Sequence, residues 1–319
     1  MTNSVTVSAA SNIALVKYWG KRDTAANDPA TASLSIGLED LRTTTTIGFS
    51  DTGDDQVISP MDQASTARLI RFLDRVRETW NIDRNFSIET SNNFPTGSGL
   101  ASSASGFAAL ALGINRLLGL ELSGMELSRL ARRGSGSAAR SVFSGFVEVI
   151  PSDDAWANRI LPADEWPLSV IVAITSEASK QTGSTEAMQI SADTSPFYKQ
   201  WLATHQHDMT TAKAAIEARD FAALAAVSEH NCLKMHATIM TGQPSVLYWL
   251  PATVAVMHQV LALREAGIPA FFTIDAGSQV KVICQAGDAD RVNQSISAVD
   301  GVIRTLVTRV GGEPVISVA

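Results

Sequence analysis

The sequence predicts an α+β chain folded as two lobes, and three observations carry that expectation. Strand-like stretches dominate the first fifty residues and return after residue 270, a block of long helical patterns lies between, and the pattern changes near residue 180. Runs of strands mixed with runs of helices, without strict alternation, mark the α+β class. At 319 residues the chain is long enough to bury more than one core. We place the lobes at residues 1–179 and 180–319, although no Pro- or Gly-rich linker marks the division.

The elements follow from local signals. Ser33–Leu38 alternates small polar with apolar residues, and Thr43–Thr46 followed by Ile47 is a β-branched run; both read as strands. Leu69, Ile70, Phe72, Leu73 and Val76 recur at helical spacing, predicting an amphipathic helix over Gln63–Trp80. A second helix is expected to begin near Ser102 and run through Leu118, stopping at Gly119. Ser123 followed three residues later by Glu126 is the capping-box signature of a third. Strands are expected around Phe143–Ile150 and Leu168–Thr175, then long helices from Pro196 to about Ala266. Strands return at Ala270–Ile274, Val280–Cys284 and Val302–Thr308.

Composition excludes several classes of function. A formal net charge of −7 argues against broad nucleic-acid or anionic-membrane binding, so a phosphorylated ligand would need a local basic pocket. Apolar runs such as Leu168–Ile174 are too short to span a bilayer, and Met1–Val7 lacks a basic segment followed by an apolar one. Cys232 and Cys284 form no metal-ligand pair, which suits free buried thiols in the reducing cytoplasm. The five histidines show no HExxH or i, i+4 pair, and no GxSxG elbow is present, so neither a zinc site nor an α/β-hydrolase triad has an anchor.

Five stretches carry candidate chemistry. The strongest is Pro95-Thr-Gly-Ser-Gly-Leu-Ala-Ser-Ser-Ala104, leading into a helix. Its glycines let the backbone approach a ligand, and Ser102 and Ser103 stand at a helix start, where free N–H groups and the dipole attract phosphate. A plain loop with a capping serine is the competing account, but the ordered string favours a phosphate loop. It is neither a Walker A motif nor a GxGxxG loop. In Arg132-Arg-Gly-Ser-Gly-Ser-Ala-Ala-Arg140 a helix ending in basic residues and a glycine stop accounts for the first three residues. Ser135, Ser137 and Arg140 remain, and Arg140 offers a fork for a carboxylate or phosphate.

The other three are less specific. In Ser11-Asn-Ile-Ala-Leu-Val-Lys-Tyr-Trp-Gly-Lys-Arg-Asp23, a strand over Ile13–Tyr18 would send Lys17 and Trp19 to one face and Tyr18 to the other. Lys17 then snorkels, pairs with a buried acid, or is a solvated edge lysine. In Phe271-Phe-Thr-Ile-Asp-Ala-Gly-Ser-Gln279, Asp275 ends an apolar strand before a glycine turn, a position where many aspartates merely tie down the turn. Lys180-Gln-Thr-Gly-Ser-Thr185 reads as a hinge loop or as a second set of phosphate donors.

Taken together, these strings resemble the diphosphomevalonate decarboxylases of the GHMP kinase superfamily. The resemblance rests on Asn12–Asp23, Asn92-Asn-Phe-Pro-Thr, Gly99-Leu-Ala-Ser-Ser-Ala104, Ala131–Ser137, Thr182-Gly-Ser-Thr185 and Asp275-Ala-Gly277, in order over nearly the whole chain. The Thr182–Thr185 string is more like the eukaryotic members than the usual bacterial Ser-Ser-Arg. Gly97-Ser98 stands for the family's usual Ala-Ala, Phe143-Ser144-Gly145 for Tyr-Gly-Gly, and Ser278-Gln279 for Pro-Asn.

The resemblance implies a two-lobed GHMP kinase fold, with an N-terminal lobe of the ribosomal-protein type and a C-terminal α/β-sandwich lobe. It implies ATP over the Gly-rich loop with Mg2+ on its phosphates, mevalonate 5-diphosphate as substrate, and a homodimer. Asp275 would be the catalytic carboxylate, Lys17 its cationic partner, Arg140 the ligand of the substrate carboxylate, and Ser184 a neighbour of the transferring phosphoryl group. Tyr18, Lys21, Ser135 and Ser137 would hold the substrate diphosphate. Ser98, Gly99, Ala101, Ser102 and Ser103 would serve the ATP phosphates, Ser103 also the metal.

The chemistry is coherent in its own terms. Loss of CO2 from a β-hydroxy acid drives electrons toward the carbon bearing the hydroxyl, and phosphate leaves where hydroxide does not. The expected product is isopentenyl diphosphate. Rival expectations are a kinase that stops at phosphorylation, such as a mevalonate 3-kinase, a decarboxylase of mevalonate 5-phosphate, and a non-catalytic binding protein on the same fold.

Overall fold

The computed structural model describes residues 4–94, 102–178 and 180–318. In chain order the strands and helices are β1 (Ser4–Val16), β2 (Lys21–Asp23), β3 (Asp28–Pro29), β4 (Ser33–Phe49), β5 (Gln56–Val57), α1 (Gln63–Trp80), β6 (Phe86–Asn92), α2 (Ser102–Leu118) and α3 (Gly124–Gly134). There follow β7 (Phe146–Ile150), β8 (Trp156–Leu161), β9 (Leu168–Ile174), α4 (Ser184–Thr194), α5 (Tyr198–Ala218), α6 (Phe221–Met240) and α7 (Pro251–Glu265). The chain closes with β10 (Ala270–Ile274), β11 (Val280–Gln285), α8 (Ala289–Ser297), β12 (Arg304–Arg309) and β13 (Val315–Val318).

Two large sheets organise most of the described elements, and β2 and β3 pair as a separate hairpin. The first has seven strands, ordered β13-β1-β4-β6-β5, with β7 and then β8 continuing from the N-terminal part of β4. The second has four antiparallel strands, ordered β10-β11-β9-β12. Sheet membership crosses residue 180, because β9 precedes it yet lies in the second sheet, and β13 follows it yet pairs with β1.

Local signals set most element ends. α1 has the expected bounds; Asp62 caps it by accepting from the Ser65 N–H, and Asn81 ends it at φ 51°, a left-handed turn that Asn tolerates. At α3, Ser123 and Glu126 bond each other's backbone N–H reciprocally, a complete capping box. α2 also ends at Leu118 as expected, with Gly119 beyond it at φ +64°.

Other ends differ from expectation. Ser33–Leu38 and Thr43–Ile47 are parts of one 17-residue strand, β4. The strand expected from Phe143 starts at Phe146, because Ala138–Val142 winds into a short 3-10 helix and Gly145 turns the chain at φ +73°. Helix begins at Ser184 rather than at Pro196, and β12 starts at Arg304. β6, β8, α8 and β13 have short or polar sequences whose periodicity does not announce them, and cross-chain pairing or packing decides each.

The cores explain where a site forms. One apolar cluster packs α1, α2 and α3 on the first sheet, through residues such as Val7, Ile47, Ile88, Phe72, Leu110 and Leu130. A second includes Ile13, Leu15, Leu34 and Ile36 of the first sheet, Val170, Val172 and Phe271 of the second, and Met209 and Ile216 of α5. This shared core brings the C-terminal end of β1 against the C-terminal end of β10. Among the described residues, no helix is long and apolar enough to cross a membrane, and no group of three or more His, Cys, Asp or Glu could hold a metal ion.

Candidate active site

β1 runs buried to Val16 and β10 runs buried to Ile274, so the next residue of each chain segment, Lys17 and Asp275, emerges where the two sheets meet. Lys17 Nζ lies 2.7 Å from Asp275 Oδ1 and donates to the Ala14 carbonyl at 2.8 Å. Lys17 is thus paired with an acid, which settles its three possible roles. Asp275 is not merely a turn former, although its carbonyl does accept from the Gly277 N–H at 2.7 Å. Its carboxylate is drawn into a cavity of about 880 Å³.

Electrostatics around Asp275 favour its charged form. Burial by itself would raise the Asp275 pKa, but Lys17, Lys281 and Arg140 outweigh it and bring the carboxyl down to about 2. Burial lowers Arg140 to about 10, opposed by Asp275 and Tyr18, so it stays a cation at neutral pH. Arg140 donates from Nε to Asn12 Oδ1 at 3.2 Å and from Nη1 to Ser33 Oγ at 2.6 Å. Asn12 is itself fixed by donating to Ser141 Oγ at 2.8 Å and to the Ser137 carbonyl at 3.1 Å. The guanidinium is therefore held rigidly at the cavity wall.

The remaining expected residues gather in the same cavity. Lys17, Tyr18, Lys21, Ser102, Ser103, Ser135, Ser137, Arg140, Ser184 and Asp275 all line it. Tyr18 does not turn to an opposite face, because the strand ends at Val16 and alternation stops there. Its hydroxyl is buried without a hydrogen-bond partner and its pKa is raised by that burial, so it remains a neutral donor. Gly136 is required beside it: a Cβ there would lie 2.5 Å from the Tyr18 hydroxyl oxygen. Ser103 Oγ is 3.2 Å from Ser135 Oγ, which is 3.3 Å from Ser137 Oγ, so three hydroxyls form one ladder at the start of α2. Ser98, Gly99 and Ala101 of the Gly-rich string lie outside the described residues.

Lys21 meets the first turn of α4 at the cavity wall. Lys21 Nζ donates to Asn27 Oδ1 at 2.8 Å and to Thr185 Oγ1 at 3.0 Å. Burial, with the nearby Arg68, lowers its pKa to about 8. Lys180 Nζ donates to Ser184 Oγ at 2.8 Å and to the Ala276 carbonyl at 3.1 Å, so the polar segment joins the site.

Sequence reasoning missed three groups. Arg68, Arg71 and Arg75 of α1 line the cavity, while Leu69, Phe72, Leu73 and Val76 of the same helix face the core. Their i, i+3, i+7 spacing was the available signal. With Lys17, Lys21, Arg133, Arg140 and Lys180 against only Asp62 and Asp275, the cavity is strongly cationic despite the acidic chain. Next, Lys17 N–H donates to Asn231 Oδ1 at 2.7 Å, and Asn231 donates to Asp208 at 2.6 Å, so α5 and α6 brace β1 from behind. Last, Lys281 approaches Asp275 Oδ2 at 3.7 Å.

Arg132 corrects the reading of its string as only a basic helix end. It is 1% exposed and donates to the carbonyls of Ala155 at 2.9 Å and Ala26 at 2.7 Å, and to Asp154. Asp28 lies 3.4 Å away. These contacts tie the β2–β3 hairpin, which carries Lys21 and Asn27, to α3.

The donor set fits a nucleoside triphosphate with its magnesium. Hydroxyls and cations converge without a carboxylate cage, which suits a Mg2+ held chiefly by phosphate oxygens. Comparison with known proteins agrees. Residues 9–158 match the model of the diphosphomevalonate decarboxylase-like N-terminal domain, and residues 170–315 that of the mevalonate 5-diphosphate decarboxylase C-terminal domain. The diphosphomevalonate decarboxylase of Candida albicans is 33% identical, covering 91% of this chain and 86% of its own. The phosphomevalonate decarboxylase of Haloferax volcanii is 34% identical over 93% of each. A solved structure, MDDEF in complex with MVAPP, AMPPCP and magnesium, superposes with a TM-score of 0.93 at 34% identity over 100% of both chains. The chain belongs to the diphosphomevalonate decarboxylase family of the GHMP kinase superfamily.

Proposed function

We propose that this protein decarboxylates mevalonate 5-diphosphate with ATP, through transient phosphorylation of the 3-hydroxyl, releasing ADP, phosphate and CO2 and leaving isopentenyl diphosphate. The observation that carries the reading is the Lys17–Asp275 pair lining a cationic cavity that also holds Arg140. In this reading the Asp275 carboxylate orients the tertiary hydroxyl. A carboxylate this acidic is a weak base toward a free alcohol, so the proton moves to it only as the O–P bond forms and the hydroxyl becomes acidic. Lys17 stabilises the negative charge around the reacting oxygen, and Arg140 grips the substrate carboxylate until CO2 departs.

Tyr18, Lys21, Ser135 and Ser137 are assigned to the substrate diphosphate, Ser102 and Ser103 to the ATP phosphates, and Ser184 to the transferring group. Ser98, Gly99 and Ala101 are assigned to the ATP phosphates on their string alone. When bound, ATP supplies the phosphoryl group, and Mg2+, to which Ser103 is assigned, neutralises phosphate charge. The solved relative holds MVAPP, AMPPCP and magnesium together, which supports this pairing of ligands. The crowd of cations on α1 beside Lys21 favours a diphosphate over a monophosphate tail. A homodimer in the cytoplasm completes the reading, in keeping with two buried free cysteines.

The test is direct. The protein is incubated with ATP, Mg2+ and either phosphorylated mevalonate, and ADP, phosphate and CO2 are followed. Equal release of all three from the diphosphate is expected; ADP without CO2 refutes decarboxylation and leaves a kinase.

A further inference from the structure

The Asp275 carboxylate is approached by cations from two sides. Lys17 reaches Oδ1 from the first sheet at 2.7 Å, and Lys281 reaches Oδ2 from the second at 3.7 Å. Lys281 sits in β11, in register with Thr273 of β10 on one side and Val172 of β9 on the other. Its neighbours Val280, Val282, Ile283 and Cys284 are fully buried, and Lys281 itself is 1% exposed. An ammonium in such a strand carries a large desolvation cost that only a nearby anion offsets. Lys281 Nζ also lies 3.4 Å from the Gln279 carbonyl.

The two contacts differ in kind. Lys17 belongs to the other sheet, so its distance from Asp275 depends on how the sheets meet. Lys281 and Asp275 share the β10–β11 hairpin, so this cation accompanies the carboxylate wherever the hairpin sits. Resting on the reaction assigned above, we propose that Lys281 is a positioning residue for that reaction: it holds Asp275 ionised and turned by its Oδ2, so that the oxygen beside Lys17 is presented to the substrate hydroxyl.

Other titratable groups facing Asp275 are Arg140, Lys180 before α4, and Cys232 and His236 of α6. Burial drives the His236 pKa down to about 3 and the Cys232 pKa up, so both stay neutral near pH 7. Asp275, held at about 2, stabilises the fold above its unfolded pKa, and that stability is lost as pH falls through the folded value. Removing Lys281 brings the folded pKa nearer the unfolded one, so less stability remains to be lost on acidification.

Lys281→Met and Lys281→Gln in the full chain test this against Lys281→Arg. Two readouts are needed: kinetics at pH 7, and urea unfolding between pH 2 and 5. Both neutral variants are expected to lose about tenfold or more in kcat, with KM for ATP and acid within about threefold of wild type. Their stability should also fall less steeply than wild type between about pH 4 and pH 2, reflecting an Asp275 pKa raised by about one unit or more. Lys281→Arg, which keeps the charge, should restore the wild-type slope. Identical slopes in all proteins, or a kcat within about twofold of wild type, would overturn the proposal. Failure of both neutral variants to fold would also overturn it, in favour of a purely structural lysine. If the wild type releases no CO2 from either phosphorylated mevalonate, the assigned reaction fails, while the unfolding slopes still decide whether Lys281 acts on Asp275.

Discussion

Replacing Asp275 with Asn and Lys17 with Met, singly and together, asks whether the pair works as one device. At 2.7 Å the gross attraction is about 6 kcal/mol for an effective dielectric near 20. Much of that is offset, because Lys17 is 1% exposed and its burial is costly, while Asp275 is 23% exposed and partly screened. A net coupling of about 1.5–3 kcal/mol in unfolding free energy is therefore expected from the double-mutant cycle. Turnover is more sensitive. Asp275→Asn should lower kcat by about 10³-fold or more, because the amide neither accepts the proton nor carries charge, and Lys17→Met by about 10²–10³-fold. The double variant should be no more than about threefold slower than Asp275→Asn, since groups that act as a unit are not additive. Coupled release of ADP and CO2, together with urea unfolding, measures both quantities. Fully additive losses in kcat would show two independent residues, and an Asp275→Asn enzyme retaining a tenth or more of wild-type kcat would refute the mechanism.

Three further outcomes are expected. Arg140→Lys keeps the charge but loses the fork that Asn12 and Ser33 hold, so kcat/KM should fall by about 1–3 kcal/mol or more with little change in thermal midpoint; an unchanged kcat/KM in folded protein removes Arg140 from the substrate. Ser103→Ala should raise KM for ATP by about tenfold while KM for the acid changes little, and the opposite split would assign this serine to the other ligand. Arg132→Leu should destabilise the fold by about 1–3 kcal/mol or more, because it removes the buried donor to the Ala155 and Ala26 carbonyls and one of the two arginines beside Asp28; a thermal midpoint equal to wild type would show that the β2–β3 hairpin needs no such anchor.

What the sequence determined by itself was whatever local chemistry dictates. The bounds of α1 and α2 and the capping box of α3 follow from apolar spacing, an aspartate or serine cap and a glycine or asparagine stop, all set within a few residues. The strings that mark the family were also legible, because phosphate loops need glycine and serine in a fixed order. So was the need for a local basic pocket in a chain of net charge −7. The tertiary structure decided which of those residues meet. Lys17 and Asp275 are 258 positions apart, and only the shared core of the two sheets turns a lysine with three possible roles and a turn aspartate into an ion pair. The same is true of the α1 arginines, whose face is set by which side of the helix packs on the first sheet, and of Arg132, whose partners come from two distant segments. Lys281 is the clearest case: nothing local distinguishes it from a solvated strand lysine, and the anion that justifies its burial stands across a hairpin turn. Burial and pairing depend on the sum of contacts from distant segments, and that sum exists only once the chain has folded.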